Sequence, residues 1–215
     1  MAISVHGYKY SVYTRIVRAT LAEKALAYEY VEVNPFDPDM DRDYLLLQPF
    51  KRVPYFEHDG FGLYETAAIT AYIDETFPGT RLQPDSTQAR ARMRQMIGII
   101  DAYGFKPMML DVFSNRIVAP LYREPIDVAA IESGLQESQH VLQVLHDLME
   151  GTEFLCGDRF SLADLHLAPI MDYFLQVEEG QQLVAELPAL DAWWRQVCDR
   201  ESIVRTRPVL ANSVV

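Results

Sequence analysis

The chain has only two cysteines in 215 residues, Cys156 and Cys198, too few and too far apart for a disulfide framework or a CxxC-type metal site. Its five histidines, His6, His58, His140, His146 and His166, form no i,i+4 pair with a third ligand nearby, so no metal is expected. Positive charge is scarce as well. Lys and Arg number 19 against 31 Asp and Glu, a formal net charge of −12, which argues against nucleic acid or an acidic membrane surface as partner. No apolar run is long enough to span a bilayer, and no basic-then-apolar leader follows Met1, so a cytoplasmic protein is expected.

What is present is a chain that is 49% apolar and long enough for one large or two small cores. Ile3–Val5 reads as a strand, 14–25 as a helix, and 26–33 as a second strand, an order that favours a right-handed parallel crossover. Residues 34–49 hold three prolines and Asp37, Asp39, Asp41 and Asp43, the composition of an irregular connection with one helical turn. Asp59-Gly60, set between Tyr55-Phe56-Glu57 and Phe61-Gly62-Leu63-Tyr64, is a strong signal for a two-residue hairpin. A helix starts at Glu65-Thr66 and ends before Pro78-Gly79. The resulting β-α-β, β-β-α order is that of a thioredoxin-like layer.

Beyond a short linker at 80–86 the pattern is helical. Val128, Ile131, Leu135, Leu142, Leu145 and Met149 recur on one face, and Ser161 with Asp164 forms a capping box at a helix start. The expected organisation is an α/β domain over 1–79 followed by an all-helical bundle over 87–215.

Glu65-Thr66 is the first place where residue chemistry points to a ligand. The opening turn of a helix offers unpaired amides and partial positive charge to a carboxylate, the Thr66 hydroxyl can donate, and the Glu65 carboxylate can hold an ammonium. The pair suits an amino-acid zwitterion. The alternative is that Thr66 caps the helix and Glu65 is merely solvated.

The stretches VPYFEHDG, LYETAAITAYI and FSLADLHLAP, in that order, resemble the cytosolic glutathione transferase family. Tyr10-Ser11-Val12-Tyr13-Thr14-Arg15, followed by Leu21-Ala22-Glu23-Lys24, is similar to the first strand-helix junction of its serine-type, theta- or phi-like members of bacterial or plant kind. Gln48-Pro49-Phe50-Lys51-Arg52-Val53-Pro54 is similar to the family's loop before a cis-proline. The resemblance implies a glutathione transferase with glutathione as co-substrate, an electrophile site between the domains and a homodimer.

It also implies roles. Glu65 and Thr66 would bind the γ-glutamyl end, Val53 before a cis Pro54 would pair with the cysteinyl backbone, and Arg52, with Lys51, would meet the glycyl carboxylate. Ser11 is the first choice to favour the thiolate, with Tyr10 and Tyr13 as rivals and Tyr8 at the place tyrosine-type classes use. Tyr8, Tyr10, Tyr103 and Phe113 are electrophile-site candidates, and Asp101 would reach a partner's glutathione. Arg15 would raise the local potential, pair with an acid, or sit on the helix surface. Without a cysteine at position 11 the thiol-reductase branches are disfavoured. A glutathione-dependent isomerase, dehalogenase or peroxidase, and a non-catalytic interaction module of the same fold, are the alternatives.

Overall fold

The computed structural model describes residues 1–149 and 151–209, and these fall into two compact units, 1–81 with 201–208, and the described residues of 82–200 with Val209. In the first unit the order is β1 (Ile3–Gly7), α1 (Val12–Glu23), β2 (Glu29–Glu32), α2 (Arg42–Leu47), β3 (Tyr55–His58), β4 (Phe61–Tyr64) and α3 (Thr66–Thr76). The sheet order is β2-β1-β3-β4. β1 runs parallel to β2 and antiparallel to β3, and β4 runs antiparallel to β3. The parallel pair needs the α1 crossover, as the alternating elements predict.

Alternation along β1 buries Ile3, Val5 and Gly7 and leaves Ser4 and His6 half-buried on the other face. Ile3 and Val5 join Phe56 with Val17 and Leu21 of α1 and Ile69 and Ile73 of α3 in one core. Removing each such side chain from water is worth roughly 1.5–3 kcal/mol. Gly7 lets α1 approach the end of β1, since a Cβ there would lie 2.3 Å from Thr14 Cγ2. The hairpin turn forms as predicted, with φ of 48° at Asp59 and 86° at Gly60, the left-handed pair that a two-residue turn requires.

α1 begins at Val12, two residues before the sequence reading, because Ser11 caps it, and β2 is shorter than the 26–33 run at both ends. The end of α1 is tied down by a buried cation. The Lys24 ammonium donates to the Asp74 carboxylate at 3.1 Å and to the carbonyls of Asp74 and Thr80 at 3.2 and 3.0 Å, so all three of its protons have acceptors. A short helix, α10 (Glu201–Val204), belongs to this unit too, with Ser202 Oγ donating to Glu23. Residues 201–208 thus group with the first unit.

The second unit contains α4 (Thr87–Ile99), two π-helical segments (Ile100–Gly104 and Lys106–Val118), α5 (Ala119–Tyr122), α6 (Val128–Met149), α7 (Leu162–Phe174), α8 (Glu178–Ala185) and α9 (Pro188–Val197). Pro107 and Pro120 lack the amide that an α-helical ladder needs, and the wider register spans the stretch between them. Ile131, Leu142, Leu145 and Met149 face inward on α6 as the periodicity predicts, whereas Val128 is exposed. Every residue of α7 is buried.

Candidate functional site

The sheet register collects three turns at one end. His6 of β1 lies opposite Tyr55 of β3, which lies opposite Tyr64 of β4, so the row His6-Tyr55-Tyr64 crosses the sheet. Because β3 is antiparallel to both neighbours, the end of β1, the start of β3 and the end of β4 share this edge. The chain passes from that row into Tyr8–Ser11, from Val53-Pro54 into it, and from it into Glu65-Thr66. Residues far apart in sequence thus meet at one end of one layer.

Ser11 is in extended conformation at the N-cap of α1, where its Oγ accepts from Thr14 N at 3.3 Å. Its own amide donates to Tyr8 O at 2.8 Å, and Tyr8 N donates to Thr14 Oγ1 at 3.3 Å, so the turn is braced from both sides. The Ser11 hydroxyl proton has no acceptor among the described residues, and a hydroxyl that accepts from an amide becomes a better donor. Beside it the Tyr8 ring meets Tyr10 edge-on at 5.3 Å and Phe36 at 6.0 Å, and the Lys9 ammonium lies over Tyr10. Phe36 was not singled out from sequence. Its only signal is a large aromatic in an acidic, proline-rich loop. Tyr13 is half-buried on α1.

Arg15 is fully buried on α1. A helix-surface charge, one of the readings for this residue, is therefore ruled out.

The Val53-Pro54 peptide is cis, as the resemblance implies. Arg52 and Lys51 are exposed just before it, and Lys51 has φ of 53°. At the third turn the N-cap of α3 is Glu65, at φ 73° and ψ 109°, and no side chain caps the helix. Thr66 is the first helical residue and is 7% exposed, so it is not the cap considered from sequence. A non-glycine residue at positive φ costs on the order of 1–3 kcal/mol and is kept where the surroundings impose it. The consequence is a helix start whose first amides are left for something other than its own side chains, with an exposed carboxylate on one side and a buried hydroxyl on the other.

In the second unit Tyr103 is exposed, whereas Phe113 is buried against Tyr173 at 4.8 Å and serves that unit's core. The Asp101 carboxylate lies 3.2 Å from Nδ1 of the fully buried His166, a partner the sequence did not suggest. Among the described residues no group of three His, Cys, Asp or Glu could hold a metal, and no helix is long and apolar enough to cross a membrane.

The chain is thus a thioredoxin-like α/β domain, with a cis-proline turn and two helix starts at one sheet end, followed in sequence by a helical unit. Family models agree in detail: the glutathione S-transferase N-terminal domain matches residues 5–81 and the C-terminal domain matches 107–201. Glutathione S-transferase F13 of Arabidopsis thaliana is 32% identical over 213 residues, covering 98% of this chain and 97% of its own. A glutathione S-transferase of Hyoscyamus muticus is 30% identical and covers 93% and 95%. The solved structure of glutathione transferase F2 from Populus trichocarpa has a TM-score of 0.84 at 26% identity, covering 95% of this chain and 96% of that one. The chain belongs to the glutathione S-transferase family, and two of the three relatives named here carry an F designation.

Proposed function

We propose that the protein binds glutathione at the end of its sheet and conjugates it to hydrophobic electrophiles, the thiolate sulfur forming the new bond as the electrophile's leaving group, such as the halide of an aryl halide, departs. The observation that carries this is the convergence of the Ser11, Val53-Pro54 and Glu65-Thr66 turns on the row His6-Tyr55-Tyr64. Glutathione has two carboxylates, one ammonium and one thiol, and the three turns offer matching groups. Glu65 holds the γ-glutamyl ammonium, while Thr66 and the first amides of α3 take its carboxylate. Val53 pairs its backbone with the cysteinyl unit as an added strand would. Arg52, with Lys51 beside it, meets the glycyl carboxylate.

Ser11 then favours the thiolate. A free thiol has a pKa near 8.5, and lowering it by about two units takes about 2.7 kcal/mol. A hydrogen bond from a hydroxyl to a thiolate supplies roughly 1.5–3 kcal/mol, and the α1 N-terminus adds about 0.3–1. Tyr8 and Tyr10, with Phe36, give the electrophile an aromatic wall. The protein acts as a cytoplasmic homodimer in detoxification, and sedimentation measures the dimer directly.

The test is Ser11→Ala, assayed with glutathione and an aryl halide. Turnover at neutral pH should fall about 10- to 100-fold, and the pH-rate profile should move to higher pH, since the bound thiol loses the donor that held its pKa down. Intact turnover in Ser11→Ala, with loss in Tyr10→Phe or Tyr13→Phe, would transfer the role to that tyrosine. Calorimetry that detects no glutathione binding at millimolar concentration would overturn the whole reading in favour of an interaction module.

A further inference from the structure

The turn that leads into Val53-Pro54 is built from α2, a helix to which neither the sequence nor the family assignment gives a role. Two α2-side residues reach into it. Gln48, 2% exposed, accepts with Oε1 from the amides of Phe50 at 2.8 Å and Arg52 at 3.4 Å. Tyr44, 5% exposed, donates its hydroxyl to the Arg52 carbonyl at 2.7 Å. Between these contacts Lys51 takes a left-handed conformation with φ of 53°, and its amide donates to Gln48 O at 3.3 Å. The turn is therefore held by the Tyr44 side chain of α2 and the Gln48 side chain at that helix's C-cap, since it has no strand ladder of its own.

The peptide plane gives the Tyr44 contact its meaning. The only cis bond in the chain's described residues is Val53-Pro54, so the Arg52-Val53 peptide is trans and planar, and its N–H points opposite to its C=O. Fixing the Arg52 carbonyl on the Tyr44 hydroxyl thus fixes the Val53 N–H at the opposite edge of the peptide plane, directed away from Tyr44. That amide makes no hydrogen bond among the described residues. A donor that is aimed by the fold and left without an internal acceptor suits a ligand carbonyl.

Tyr44 itself has little freedom. Its ring stacks on His6 at 6.2 Å, with Tyr55 set edge-on to the same histidine at 5.6 Å. Burial pushes the Tyr44 hydroxyl's pKa up, so it remains a protonated donor throughout the working pH range. His6 and Tyr55 belong to the strand row on which the three site turns converge. The ring stack therefore links the donor to the strands that carry the other two turns.

We infer that Tyr44 is a positioning residue for thiol-peptide binding: with Gln48 it aims the Val53 amide at the cysteinyl carbonyl of glutathione, without itself touching the ligand. This rests on the reading above that Val53 pairs with the cysteinyl backbone. It differs from that reading in placing part of the affinity in a phenol beneath the turn.

The experiment is steady-state kinetics and calorimetry on Tyr44→Phe, which keeps the ring stack and removes one oxygen. The KM for glutathione should rise about twofold to tenfold, the range set by one hydrogen bond. At saturating glutathione kcat should change by less than about twofold, and the KM for the aryl halide should not move. The melting temperature should stay close to wild type. Gln48→Glu, which keeps an acceptor oxygen for the two amides, should bind glutathione better than Gln48→Leu, which keeps none. Wild-type glutathione affinity in Tyr44→Phe would overturn the inference while leaving the functional reading intact. A joint fall of kcat, both affinities and melting temperature would also overturn it, by making Tyr44 a general structural residue. If the wild-type protein itself binds no glutathione, the functional reading fails and this one with it.

Discussion

Asp164 carries the sharpest stability prediction, because four donors converge on one buried carboxylate. Its Oδ1 accepts from Leu155 N at 2.9 Å and Trp193 Nε1 at 2.8 Å, and its Oδ2 accepts from Ser161 N and Ser161 Oγ at 2.7 Å each. Asp164 is 0% exposed, and Leu155, Ser161 and Trp193 are each 2% exposed or less. Burial pushes the Asp164 carboxyl up while the four hydrogen bonds pull it down, so desolvation and bonding oppose each other at this residue. In Asp164→Ala the Ser161 hydroxyl can rotate to a new acceptor, but three N–H groups cannot. Each stranded donor costs roughly 1–3 kcal/mol, and relief of the carboxylate's desolvation returns a few kcal/mol. The net loss should be about 3–5 kcal/mol, a large part of the roughly 5–15 kcal/mol that a folded protein has. Ser161→Ala removes only the hydroxyl and should lose about 0.5–2 kcal/mol. Urea unfolding followed by tryptophan fluorescence reads this locally, since the two tryptophans are Trp193 and Trp194. An Asp164→Ala protein within about 1 kcal/mol of wild type, or one more stable than Ser161→Ala, would refute the accounting.

The parts of the fold that were legible in the sequence are those decided by local chemistry. Asp59-Gly60 announced its hairpin because few residue pairs accept positive φ at both positions, and Ser161 with Asp164 announced a helix start because the box closes within three residues. Where the outcome depends on packing from elsewhere, residue type misleads. Arg15 carries a charge yet is fully buried, and its helical spacing holds no sign of that. Thr66 has the chemistry of a cap, but the backbone at Glu65 turns to φ 73° and shifts Thr66 into the helix. The same limit hid the turn-building residues. Tyr44 and Gln48 lie in a segment whose composition says only irregular connection, and their contacts appear once β1 and β3 place His6 and Tyr55 beneath them. α10 escaped because four residues carry no periodicity, so nothing in 201–204 announced its return to α1. The candidate site was thus legible as three separate turns, while the register that joins them came from the sheet.

Two further outcomes concern groups that titrate. The Cys156 thiol, which donates to Met96 Sδ at 3.5 Å, is pushed up to about 12 mainly by burial, so its thiolate population at pH 8 is negligible. Iodoacetamide under native conditions should modify Cys198 and spare Cys156, and peptide mapping that finds both alkylated at similar rates would contradict this. His6 is held below its ordinary pKa of 6.5, chiefly by burial among the Tyr44 and Tyr55 rings, against the opposing pull of Glu57 and Glu29. Above pH 6.5 the imidazole is neutral in both the folded and the unfolded chain and does not affect the balance. As pH falls through 6.5 the unfolded chain takes up its proton first, so stability from this residue is lost from that pH downward until the folded imidazole also protonates. Denaturation midpoints at pH 7.5 and 5.5 should therefore differ less in His6→Gln than in wild type, the shared carboxylate titrations cancelling in the comparison. An equal or larger difference in the variant would mean that the protonated imidazole is accommodated beneath Tyr44, and the burial argument for His6 would fail.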